Sequence, residues 1–371
     1  VEKIKIMYKI FQKDNFSDSK INYKANHDNQ AVFYDILGKY YESYQIKEVS
    51  QLDRKEINSE NYKIILKLGG KIKKILLRKH KFLKNTKQVD FYLNLLNDLA
   101  SKNVKVIRIV RSKKGKLSIV LDENIYSVFE FVESTHFTAS IKAFQNLAQA
   151  IAQMHLGFDS LNDFYLSKIK AQNKRSGVYY NVIKKYSESD FIKIADAISG
   201  KKNKTEIDKF IMQKLPLILS AVREVEKQKK YISGAKNQII HSDLHPHNIL
   251  MRHDKVDAIL DFDSIRIHNH GKDIASAIYR FGRQFFIGQP KLARNEAPKL
   301  REIFIKKYEG IKKLTNDQIR ALPLLLKDEF LIKLLYVLNA VYLDKNELWA
   351  GDLPKFLAAF DEIDYFWPDK N

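Results

Sequence analysis

The residues best placed to do chemistry fall in one stretch, Gln238 to Ser264, which reads QIIHSDLHPHNILMRHDKVDAILDFDS. Two apolar runs in it, 238–240 and 256–260, have the length and β-branched content of short buried strands. Around them stand polar residues without a helical period: His241, Asp243, His245, His247 and Asn248, then Asp261 and Asp263. Asn248 follows Asp243 by five positions, and Asp261 follows Asn248 by thirteen. A carboxylate on a loop, an amide on the same loop and a second carboxylate closing the next strand suit phosphoryl transfer. The first carboxylate orients an attacking hydroxyl and can take its proton. The amide oxygen and the second carboxylate are hard oxygen donors of the kind magnesium prefers beside nucleotide phosphates.

A different chemistry competes for these residues. Six of the ten histidines (241, 245, 247, 253, 268 and 270) lie within thirty positions, as in a histidine-metal hydrolase. That reading gives Asn248 and the strand–loop–strand order nothing to do. A purely structural reading, with polar side chains capping turns, explains the pattern less well still.

The segments H-S-D-L-H-P-H-N-I-L and I-L-D-F-D resemble the catalytic and metal loops of the aminoglycoside phosphotransferase and choline kinase superfamily. These are small-molecule kinases of protein-kinase-like fold, usually with H-G-D-L-H-x-x-N at this point. The resemblance implies that Asp243 is the catalytic aspartate and that Asn248 and Asp261 are magnesium ligands, with Asp263 able to support a second ion. It implies ATP or GTP as phosphoryl donor. Ser242 stands where the family often has Gly, and His247 where a small residue is common; neither change touches a carboxylate or the amide. The implied fold class is α+β and bilobal. A five-stranded antiparallel small lobe with an N-terminal extension would occupy residues 1–132, and a mainly helical large lobe residues 133–371, with a hinge near Glu133.

Other segments supply elements that could position this chemistry. Ala31 to Tyr44 has a helical apolar pattern. Strands are expected at 46–52, 62–68 and 72–79, the last two joined by a Gly69-Gly70 hairpin turn. The turn 58–61 sits where kinases fold a loop over phosphates; it lacks glycine, so Ser59 and Asn61 are the candidate donors there. Ile75 to Lys79 resembles the family's third strand, whose terminal basic residue faces the nucleotide. That role falls to Arg78, with Lys79 on the opposite face by the period of two. A helix is expected at 88–102, but Tyr92 occupies the place of the usual Glu, with Asp90 nearby. Further strands are expected at 104–110 and 117–121. Tyr126 to Val132 resembles the strand entering the hinge, where backbone at Glu130 and Val132 would meet the adenine edge. Helices are expected over 138–156, across most of 161–235 and through 299–367. Asp273, in G-K-D-I-A, resembles an aspartate that caps a helix and braces the catalytic loop.

Composition bounds the rest. The chain has 371 residues, 45% of them hydrophobic, no cysteine and a formal net charge of +21. That length suits two lobes, and that apolar content suits a packed core. The lack of cysteine excludes disulfides and fits a reducing, cytoplasmic setting. No membrane span or nucleic-acid motif accompanies the charge, so its simplest reading is a lysine-decorated surface; it leaves the oligomeric state open. A protein kinase-like effector remains an alternative, although no H-R-D or A-P-E element appears. So does a non-catalytic nucleotide-binding regulator, given Tyr92. From Asp328 onward there are nine acidic residues, four basic ones and nine aromatics. This combination suggests an amino-bearing alcohol as acceptor, bound by ion pairing and cation–π contact, with Glu347, Trp349 and Asp352 as candidates.

Overall fold

The computed structural model describes residues 27–52, 59–81, 83, 85–173, 185–228 and 237–368. Most of the expected N-terminal extension therefore lies outside the described residues. The described chain opens with helix α1 (His27–Gly38) and strands β1 (Gln45–Gln51), β2 (Ser59–Leu68) and β3 (Lys71–His80). Helix α2 (Thr86–Ser101) precedes β4 (Ile109–Val110), β5 (Ile119–Leu121) and β6 (Asn124–Glu130). All six strands form one antiparallel sheet in the order β1-β2-β3-β6-β4, with β5 also on β6.

The expected five strands become six because β4 and β5 pair with different stretches of β6, Val128–Phe129 and Asn124–Tyr126. The run 104–110 is mostly not a sheet strand. Val106 bridges Ile259 in the other lobe, and only its last two residues join the sheet. An apolar run shows that a segment is buried but not which partner buries it.

Alternation along β3 sorts its side chains between two cores. Ile75 and Leu77 face α1, packing with Phe33, Ile36 and Leu37. Leu76 faces the other way, toward the cluster that holds Val89 and Leu93 of α2 and Phe129 of β6. Gly69 and Gly70 turn the β2–β3 hairpin at φ +50° and +84°. Positive φ at both positions is the requirement that glycine meets without a Cβ clash.

From β6 the chain passes through 131–134 to β7 (Thr135–His136), which pairs with β9 (Ile249–Arg252). Helices α3 (Ile141–Asp159), α4 (Asp163–Asn173), α5 (Glu188–Ser199) and α6 (Glu206–Lys227) follow. Strand β8 (Gln238–Ile240) then leads into the catalytic segment, β9 and β10 (Lys255–Ile259) form a hairpin, and β11 (Arg266–His268) returns to pair with β8. The chain ends in helices α7 (Gly271–Gly282), α8 (Pro290–Glu309), α9 (Asn316–Leu338) and α10 (Leu353–Phe366). Ser140 Oγ caps α3 by accepting from the Ala143 amide and donates to Asp254 Oδ1 at 2.7 Å, tying the start of the helix to the β9–β10 turn. The large-lobe core gathers Phe144, Ile278, Phe304, Leu331 and Phe366 from five different helices. Among the described residues no helix is long and apolar enough to cross a membrane.

Candidate active site

The loop after β8 is held from beneath by one carboxylate. Asp273, only 1% exposed, accepts from the backbone amides of His241 (2.7 Å) and Ser242 (2.8 Å). Its Oδ2 also meets His155 Nε2 at 3.1 Å, and His155 Nδ1 meets the Tyr308 hydroxyl at 2.7 Å. Burial alone would raise the pKa of Asp273, but its hydrogen bond and charge interaction with His155, then His241 and the Ser242 amide, hold it below the ordinary carboxylate value. Asp273 thus braces the loop that carries Asp243. It does not cap α7, whose N-cap residue is His270.

This bracing fixes an uncommon backbone. Ser242 has φ +73°, the left-handed region, at the position where the resembling family often has glycine. A non-glycine residue there carries strain of about 1–2 kcal/mol. Ser242→Gly is therefore expected to stabilise the fold by up to about 1 kcal/mol in denaturant unfolding, after the added flexibility of glycine is allowed for. A loss of stability instead would show that the serine side chain holds the loop.

His241 is fully buried. Its Nε2 donates to the Leu260 carbonyl at 2.8 Å, while Nδ1 accepts from the Asp243 amide at 3.3 Å. Burial favours its neutral form and lowers its pKa, as this pair of roles requires. His241 thereby links the Asp243 loop to the segment that carries Asp261.

Asp243 presents its carboxylate at 30% side-chain exposure. His245 Nε2 lies 3.5 Å from Oδ2; Arg280 Nη1 and Lys333 Nζ lie 3.6 and 3.9 Å from Oδ1. Burial opposes its charge, yet His245, Lys333 and Arg280 hold its pKa well below the usual range. Asn248 spends its amide nitrogen on the Asp243 carbonyl at 2.9 Å, which leaves its amide oxygen as the end able to take a cation. Asp261 is the N-cap residue of a short 3-10 turn, Phe262–Ser264, and has φ +59°. Ser242 and Asp261 are thus both left-handed, one on each functional loop.

Asp261 and Asp263 line a cleft that also includes Arg78, Tyr92 and Phe129. Arg78 and His80, two positions apart on β3, both line it, so the face of the strand that carries Arg78 is the one on the cleft, as the period of two requires. Arg78 Nε donates to Asn61 Oδ1 at 3.0 Å, and its guanidinium lies 6.0 Å from the Phe129 ring centroid. Ser59 and Asn61 are not turn residues: they begin β2, opposite His80 and Arg78, and are buried. Asn61 Nδ2 donates to Ser59 Oγ at 3.3 Å, so the pair steadies Arg78 from its own sheet. Residues 53–58, which precede them, lie outside the described residues.

Tyr92 takes the place on α2 that faces the cleft. Burial, and then the charge of Asp263, push its hydroxyl pKa up. Asp90 turns away and accepts from Ser118 Oγ at 2.6 Å. Arg78 is thus held by an amide rather than by a helix carboxylate. At the hinge, the Glu130 amide donates to the Arg108 carbonyl at 2.9 Å, while the Glu130 side chain is exposed and Val132 is half-buried.

Glu347, Trp349 and Asp352 lie on a 3-10 turn, Glu347–Asp352. Glu347 is exposed, Asp352 pairs with Lys355 at 2.9 Å, and the Trp349 side chain lies outside what the structure describes. The groups that surround the Asp243 carboxylate come from elsewhere. Other acids of the C-terminal segment are already engaged: Asp328 with Lys272 (2.7 Å), Glu362 with Arg283 (2.9 Å) and Asp361 with Lys214. Phe330, Phe356, Phe360 and Phe366 are core residues. The acidic and aromatic excess that suggests an amine is thus largely spent on packing and internal pairing.

The histidines form ring contacts rather than a ligand set, His247 lying 5.2 Å from His136 and 5.8 Å from His245 between ring centroids. His241 and His155 serve the loop and its brace, and His268 Nδ1 accepts from the Asn269 amide at 2.8 Å. Among the described residues no three His, Cys, Asp or Glu side chains group so as to hold a metal ion. Asn248, Asp261 and Asp263 offer oxygen donors only, the chemistry that magnesium takes.

Arg280 and Lys333 were not singled out from sequence. Arg280 follows Asp273 by seven positions, so both lie on one face of α7 and a signal existed. Lys333 left no signal, since only the packing of α9 brings it to the loop.

The model of a family described as the phosphotransferase enzyme family matches residues 51–309. A comparison with curated proteins finds no match. Among solved structures the fold is similar to spectinomycin phosphotransferase in complex with ADP and spectinomycin, at TM-score 0.62 and 15% identity over 92% of this chain and 94% of that one. It is also similar to a microcompartment-associated aminopropanol kinase, at TM-score 0.56 and 15% identity over 89% and 94% of the two chains. A Plasmodium vivax ethanolamine kinase gives TM-score 0.54 at 15% identity over 92% and 87%. At such identities the likeness is one of fold.

Proposed function

Since the chain belongs to the phosphotransferase enzyme family, and is thus a kinase that moves a phosphoryl group from a nucleotide to a small-molecule hydroxyl, we propose how its residues divide that work. Asp243 orients the acceptor hydroxyl and receives its proton. Asn248 Oδ1 and Asp261 would hold magnesium, with Asp263 able to support a second ion. The metal, when bound, neutralises phosphate charge and aligns the nucleotide. Arg78 takes phosphate oxygens, kept in the cleft by Asn61 and Ser59. With the Glu130 amide already given to Arg108, the Glu130 carbonyl and the Val132 amide are the hinge groups left to meet the base of ATP or GTP.

The observation that supports this division best is the shared cleft. Arg78, from the small-lobe sheet, and Asp261 and Asp263, from the large lobe, line one opening. The loop of Asp243 and Asn248 is fastened to the same segment through the His241 to Leu260 hydrogen bond and the bond from the Leu260 amide to the Asn248 carbonyl. Cation, carboxylates and amide are thus presented together, and positioning with electrostatic stabilisation is what phosphoryl transfer chiefly needs.

The test compares neighbours on one strand. Arg78→Ala should weaken magnesium–ATP binding by about tenfold to a hundredfold in calorimetric titration, the value of a charge-assisted contact to phosphate. Lys79→Ala, on the opposite face, should change it by less than about twofold. A larger effect at Lys79, or none at either, would overturn the assignment.

A further inference from the structure

We infer that the acceptor carries an oxyanion, a carboxylate or a phosphate, which docks on Arg280 and Lys333 beside Asp243. This rests on the phosphotransferase reading above and adds to it the charge class of the second substrate.

The argument starts with the cluster of charges behind the catalytic carboxylate. Arg266, Lys272, Arg280 and Lys333 are linked to three carboxylates, Asp243, Asp328 and Glu329. The pairing is uneven in depth. Lys272 is 1% exposed and bonds Asp328 at 2.7 Å, and Arg266 bonds Glu329 at 2.5 Å, so the buried end is balanced. At the open end Arg280 and Lys333 face Asp243, two cations to one carboxylate, although Lys333 also reaches Glu329 at 3.4 Å. The cationic excess therefore lies where an acceptor hydroxyl must approach.

These contacts to Asp243 are also loose. At 3.6 and 3.9 Å they exceed the roughly 2.7–2.9 Å of a committed pair. Both side chains keep some exposure, 18% for Arg280 and 12% for Lys333. A ligand oxyanion can thus take Arg280 without breaking a tight bridge. Arg280 and Lys333 both face the Asp243 carboxylate, the group beside which the acceptor hydroxyl must sit. Lys333 comes from α9, beyond the residues 51–309 that match the family.

An ammonium group would meet the opposite situation. Arg280 and Lys333 would repel it, and Asp328, Glu362 and Asp361, which could attract it, are already paired. In the reaction the acceptor oxygen bonds to the γ-phosphorus while the β–γ bridging bond breaks, its electron pair leaving with ADP. The hydroxyl proton passes to Asp243.

The experiment uses the full chain loaded with magnesium and a non-hydrolysable ATP analogue. Binding of D-glycerate and ribose 5-phosphate (anionic), glycerol (neutral), and ethanolamine and choline (cationic) is measured by calorimetry, and ADP release with ATP is followed for the same compounds. At least one anionic alcohol should bind and be phosphorylated in preference to every cationic one; which of the two does so separates a carboxylate from a phosphate ligand. Arg280→Gln should weaken that binding about tenfold or more, Arg280→Lys should restore part of it, and nucleotide affinity should stay within about twofold, which also shows that the variants are folded. Preference for ethanolamine or choline, failure of both anionic compounds to bind, or indifference of their binding to Arg280→Gln overturns the inference. In each case the phosphotransferase reading survives if magnesium–ATP still binds. Failure of magnesium–ATP to bind the wild-type chain removes both.

Discussion

Asp243→Asn should lower kcat by about 10²–10⁴-fold, the usual contribution of a positioned general base, while magnesium–ATP affinity changes little. The substitution keeps the shape of the side chain and removes the charge that would orient the acceptor hydroxyl. Because His245, Lys333 and Arg280 hold the Asp243 pKa low, the group stays ionised through the ordinary carboxylate range. The acid limb of the kcat profile assigned to Asp243 should therefore fall below about pH 4, the unperturbed value for aspartate. A depressed pKa also makes Asp243 a weak base, so orientation is its larger share and proton transfer comes late, as a loose phosphoryl transition state allows. The check is single-turnover kinetics beside nucleotide titration. Near wild-type turnover in Asp243→Asn would falsify the role.

Asp261→Asn is expected to abolish the dependence of ATP binding on magnesium and to lower turnover by at least about 10²–10³-fold. Asparagine is the informative replacement here because Asp261 sits at φ +59°. Asparagine tolerates that backbone, whereas alanine would add strain to the loss of charge and confuse the two. The measurement is ATP titration with and without magnesium, then turnover across magnesium concentrations. If Asp261→Asn bound ATP with undiminished response to magnesium, the metal assignment would move to other residues. The two variants should differ in kind: the first keeps binding and loses chemistry, and the second loses both.

Much of this site could be read before any fold was known. Asp243, Asn248 and Asp261 sit on a short strand–loop–strand, where a few residues of extended chain leave little freedom in how their side chains meet. The facing of Arg78 followed equally simply, since alternation on a strand admits two answers and Leu76 and Leu77 already separate the faces. The Gly69-Gly70 turn was legible because both positions need positive φ, which almost no other pair supplies cheaply. The element that carries Ser59 and Asn61 was less legible. Their polarity resembles a turn, but the strand begins at Ser59, and its register sets Asn61 opposite Arg78.

The amino-acid sequence by itself determined the reaction chemistry, because that chemistry rests on residue types at short separations within locally dictated structure. It determined the two-sided sheet for the same reason, through the alternation of Leu76 and Arg78 with Ile75 and Leu77. Only the tertiary structure decided the charge around the Asp243 carboxylate. Arg280 and Lys333 lie 37 and 90 positions beyond Asp243, on helices whose rotation and approach are set by packing against several partners at once. It likewise decided that Tyr92 rather than Asp90 faces the cleft, and that the C-terminal acids are consumed by internal cations. Counting charges along a chain cannot show which of them neutralise one another, because pairing depends on distances of a few ångströms between elements far apart in sequence.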